Sequence, residues 1–111
     1  MTAVKKTTLP KEVSDLTEEQ ALRQMKQGSQ DALAWFIHRY GAYVSTIIHN
    51  IIDQRMSNAD VEEVASDVFL ALWNNAGKIL PNAARSWLAT VARNTARSRL
   101  RRASDTLPLD E

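Results

Sequence analysis

The residues here whose types invite a chemical reading are two histidines, a few serines and a block of arginines. His49 and Asp53 stand four apart, and His38 lies one helical face away. Two candidate ligands with nothing else converging on them do not complete a metal site, so no metal is expected. Ser45, Ser66 and Ser86 have no histidine and acid in an arrangement that reads as a triad. The 3 glycines are scattered and form no phosphate loop, and the absence of cysteine removes disulfides and cysteine-based zinc sites. Nothing points to catalysis or to a cofactor. The arginines read differently. The stretch NAARSWLATVARNTARSRLRR carries Arg85, Arg93, Arg97, Arg99, Arg101 and Arg102, and no acidic residue occurs between Asp67 and Asp105. Just before it, NADVEEVASDVFLALWNN carries Asp60, Glu62, Glu63 and Asp67 and no basic residue. A net charge of only +1 therefore conceals two blocks of opposite sign, and two blocks imply two partners.

The elements that must position these blocks follow from periodicity and caps. At 111 residues the chain suits one core, with an ordinary globular composition of 44% apolar and 24% charged residues. Residues 1–15 lack periodicity and are expected to be a disordered tail, without the apolar segment of a secretory signal. No apolar run reaches membrane length, so the cytoplasm is the expected compartment, with no membrane partner. Thr17 and Gln20 form a capping box for a helix that Gly28 closes. Ser29 caps a long core helix in which Leu33, Phe36, Ile37, Tyr40, Val44, Ile47, Ile48 and Ile51 keep helical spacing. Gly41 inside it suggests a close approach by a neighbouring helix. The expected helices are 17–27, 30–53, 58–75 and 83–102, making an all-α single compact bundle of about four helices over residues 16–102. Residues 103–111 read as a linker.

On the acidic helix Val61, Val64, Val68 and Leu72 form the apolar stripe, with Ala65 and Phe69 at its edge. The opposite face shows Glu62, Glu63, Ser66, Asp67, Leu70 and Trp73. A large aromatic beside acids suggests an anchor for a protein partner. The segment 74–84 is a loop, with Ile79 and Leu80 tucked beneath it and Asn82 capping the basic helix. There Leu88, Val91, Ala92 and Thr95 face inward, while Thr90, Arg93, Asn94, Arg97 and Arg101 line up outward. Such a stripe can be a solvated face whose stems cover the core edge. Joined to Trp87, Asn94 and a polar loop, with no compensating acid, it favours nucleic acid, with an anionic membrane surface as competitor. A regulatory module that uses the acidic face to sequester a basic protein is the other alternative.

The blocks GSQDALAWFIHRY, VEEVASDVFLALW and RSWLATVARNTARSRLRR, in this order and spacing, resemble the second conserved region of bacterial sigma factors of the extracytoplasmic-function subgroup. The likeness covers about residues 20–102. It implies a sigma region 2-like bundle, non-enzymatic, whose acidic helix docks on a clamp coiled coil in the largest subunit of RNA polymerase core. The loop and basic helix would open the promoter and bind the non-template single strand of the minus-ten element. By position, Glu63, Ser66, Asp67, Phe69 and Trp73 fall on the polymerase contact, and Glu62 and Leu70 share its face. Ser86, Trp87, Arg93, Asn94 and Arg101 fall on the promoter-reading helix, with Thr90 and Arg97 beside them. The base-capturing loop, 74–85, contains Lys78, Asn82 and Arg85. The chain departs from the usual pattern at Glu63 (usually Asp), Ser66 (usually Gln), Ala84 (usually aromatic nearby) and Ser98 (usually Asp). The family carries a second promoter-binding domain after a linker, so the chain is expected to be a fragment rather than a one-domain variant. A monomer when free and an anti-sigma protein as a further partner complete the expectations.

Overall fold

The computed structural model describes residues 9–53 and 55–106. Within them the order is α1 (Lys11–Ser14), α2 (Glu18–Lys26), α3 (Gln30–Ile52), α4 (Asn58–Asn74), a single 3-10 turn (Ala76–Lys78) and α5 (Ala84–Thr106). The architecture is all-helical, with no strand among the described residues.

Local chemistry starts the helices where the sequence marks them. Thr17 accepts from the Gln20 amide while the Gln20 side chain accepts from the Thr17 amide, a complete capping box. Ser29 Oγ accepts from the Ala32 amide at 3.1 Å. Ser57 and Asp60 form a second box at the start of α4. Gly28, at φ 91°, supplies the left-handed turn between α2 and α3.

The central helix α3 packs against all four others, and α4 packs on α5. Phe36, Val44, Ile48 and Ile52 of α3 meet Val64, Val68 and Leu72 of α4 and Leu88 of α5 in one core. The buried face of α5 is otherwise small, with Ala84, Ala89, Ala92 and Ala96, which lets its backbone lie close to its neighbours. No polar residue is buried among the described residues. Among them, no helix is long and apolar enough to cross a membrane.

Five local expectations change. The expected tail holds a helical turn, α1, whose Val13 is buried and whose flanking Leu9 and Leu16 pack on the core, while residues 1–8 lie outside the described residues. Gly41 has nothing within 4 Å of where a Cβ would stand, so no helix approaches closely there. Ile79 is buried as expected, but Leu80 is 71% exposed. Asn82 does not start α5: it sits at φ 69°, two residues before the first helical residue. The basic helix runs on to Thr106, through the start of the expected linker, whose residues 107–111 lie outside the described residues.

Candidate functional site

The outer face of α4 is built by the same periodicity that buries Val61, Val64, Val68 and Leu72. Glu62, Glu63, Ser66 and Asp67 are exposed, and Leu70 is 56% exposed although the core stripe could have absorbed a leucine one position earlier or two later. Trp73 is half-buried, its ring resting on the core edge. Phe69, expected among the contact residues, is instead a buried core residue. It falls one turn after Ala65 on the flank that closes against the bundle, and it presents no surface.

On α5, Ser86, Thr90, Arg93, Asn94, Arg97 and Arg101 are all exposed and share one side of the helix. Arg101 donates to Ser98 Oγ at 3.2 Å. No carboxylate pairs with Arg93, Arg97 or Arg101 among the described residues. Trp87 is half-buried against the core, a packing residue first. In the preceding loop Lys78, Leu80, Pro81 and Asn82 are exposed. The Ala83 amide donates to the Leu80 carbonyl at 3.0 Å, which closes a turn with proline second and a positive φ third, the pattern of type II. That turn shapes the end of the loop, residues 80–83, where it meets α5. Arg85 does not join the stripe: its guanidinium lies 4.6 Å from the Tyr43 ring centroid, over α3.

The two charged helices also meet. Arg99 donates to Glu63 and lies 3.6 Å from Asp60, with its side chain only 19% exposed. The basic helix therefore has an acidic counterpart at one point, contrary to the reading of an uncompensated block. The hydrogen bond to Glu63 is the main cause that raises the Arg99 pKa, and the Glu63, Asp60 and Asp67 charges add to it. The Asp60 carboxyl is held below the usual range first by the backbone and side-chain hydrogen bonds of Ser57, and then by Arg99. Arg99 was foreseeable in kind: it lies eleven residues after Leu88, on the same inward side of α5.

His49 lines a shallow surface groove of about 340 Å³ with Ser45, Thr46, Asn58, Val61 and Glu62. Asp53 ends α3 at φ 58°, donating its amide to the His49 carbonyl. Among the described residues no cluster of three or more His, Asp or Glu stands ready for a metal.

The described residues thus form a small helical bundle with one acidic-apolar face on α4 and one basic helix, α5, that follows a loop closed by a turn. The sequence model of sigma-70 region 2 matches residues 36–106, and the chain belongs to that family. Region 2 of the family binds RNA polymerase and recognises the minus-ten promoter element, without catalysis. No curated protein and no solved structure matched the chain.

Proposed function

We propose that the chain works in the cytoplasm as a region 2 domain of the extracytoplasmic-function type. Its α4 face docks on the clamp coiled coil of the largest polymerase subunit. Its α5 stripe and the loop before it hold the non-template strand of the minus-ten element. The observation that carries this reading is the exposed row Ser86, Thr90, Arg93, Asn94, Arg97 and Arg101, whose arginines lack carboxylate partners among the described residues. Arginines one turn apart, about 6 Å along the axis, suit successive phosphates, and the hydroxyls and amide between them suit phosphates or base edges. Unstacking a base costs a few kcal/mol. Phosphate contacts and a loop whose end is shaped by its turn offset that cost.

The test is a titration of the polymerase complex with a fluorescent minus-ten single strand and with its duplex. The single strand is expected to bind more tightly. If Lys78 and the α5 stripe contact about four phosphates, the log–log salt slope is near −3. Equal binding to duplex, or a flat salt response, contradicts the proposal.

A further inference from the structure

Two arginines outside the α5 stripe are held on aromatic rings of α3. Arg85 lies 4.6 Å from the Tyr43 centroid, and Arg39 lies 5.6 Å from that of Trp35. Tyr40 has its centroid 6.3 Å from that of Tyr43, and its phenol feels the charge of both arginines. Both guanidiniums therefore rest on α3, and Arg85 reaches it from the start of α5. Stacking occupies the face of a guanidinium and leaves its in-plane N–H edge free, the edge that matches an oxyanion. Both are exposed, and among the described residues no carboxylate pairs with either. Resting on a ring narrows the conformations open to each side chain, which lowers the entropy lost on binding. Glu18 accepts a hydrogen bond from the Tyr40 hydroxyl and pairs with neither arginine. A single stacked arginine is readily explained as a cover for its ring. Two exposed on rings of one helix that packs against α5 form a pair.

We propose that Arg85 and Arg39 are a second phosphate-binding site for single-stranded nucleic acid, and that the strand leaves α5 over Arg85 and continues onto α3 at Arg39. The rings that seat them, Trp35 and Tyr43, are eight residues apart on α3, about 12 Å along the axis, a separation that an extended strand bridges in about two nucleotides. The inference rests on the assignment of α5 as the nucleic-acid face.

The experiment uses the full chain bound to polymerase core and two sets of fluorescent single strands. One set covers the minus-ten element, and the other is extended by a few nucleotides at either end, each titrated over a range of salt. Two further phosphates steepen the salt slope by about 1.4. Extension at one end is expected to produce that change, with binding roughly tenfold tighter. Arg39→Gln with Arg85→Gln should lose both gains, Arg39→Gln alone should lose part of them and leave short-strand and polymerase binding intact, and Arg39→Lys with Arg85→Lys should keep the slope. No gain on extension of the wild type overturns the site, a result that depends on no variant's folding. So does a glutamine pair that keeps the gain, or that loses affinity with an unchanged slope. Arg93→Ala with Arg97→Ala reports on the underlying assignment. If short-strand binding survives that change, the α5 reading falls and the α3 site with it. If it is lost while the glutamine pair keeps the extension gain, only the α3 site falls.

Discussion

Arg99 departs from the other arginines of α5 because of where it falls around the helix. Its turn faces α4, so its charge is spent on Glu63 and Asp60 inside the molecule, while Arg93, Arg97 and Arg101 point to solvent. A pair this close to water is screened, so Arg99→Ala should lower the melting midpoint by no more than roughly 4 °C. Most of that loss should vanish in high salt, as thermal melts at two ionic strengths will show. Tyr40 offers a second check at the same scale. Burial first, then the hydrogen bond to Glu18 and its charge, push its phenol from 10.0 up to about 12. A folded pKa above the unfolded one means that the stabilisation is full below the unfolded value. It is lost as pH rises from there through the folded value. Stability should therefore decline between about pH 10 and about pH 12, and Tyr40→Phe should flatten that decline. Alkaline melts that fall equally in both proteins would contradict the assignment. The arginine and tyrosine contacts show where residue types stop being informative. The basic block was visible as a block, but which member would face α4, and which would turn back over Tyr43, depends on how two helices meet.

Among the elements, α2 to α4 were legible because each carries both an apolar period and a start signal, and α5 by its period, since Asn82 does not start it. Thr17, Ser29 and Ser57 cap where hydroxyls precede periodic runs. The turn α1 was not legible, since 4 residues cannot express a period of 3.6. Its weight rests on Val13, 8% exposed. Val13→Asp should cost about 1–3 kcal/mol by placing a carboxylate among Leu9, Leu16 and the core, measured by urea unfolding. An unchanged midpoint would return residues 9–15 to the status of a tail. Leu88→Ala, at the centre of the α5 contact, should cost about 2–5 kcal/mol. The exposed Leu80 escaped the sequence because a turn fixed by Pro81 and Asn82 turns it outward, and that geometry is set after the chain closes. Phe69 escaped for the related reason that the edge of an apolar stripe is decided by which neighbours close over it.

At the scale of the whole molecule, the bundle holds two faces on two packed helices and joins them at Arg99, which pairs with Asp60 and Glu63. Family membership establishes that such a module meets polymerase and promoter. The account's central claim is that α4 serves the first partner and α5 the second. Its most direct test is a pair of titrations, against core polymerase and against a fluorescent minus-ten single strand, on variants whose helicity is intact. Asp67→Lys with Leu70→Ala changes only exposed α4 positions. Removing an apolar anchor and reversing a charge at a docking face typically cost 2 kcal/mol or more. Polymerase affinity should fall at least tenfold, with weak single-strand binding by the free chain unchanged. Arg93→Ala with Arg97→Ala should do the reverse. If both pairs weaken the same partner, or each weakens both alike, the division of labour between α4 and α5 is contradicted.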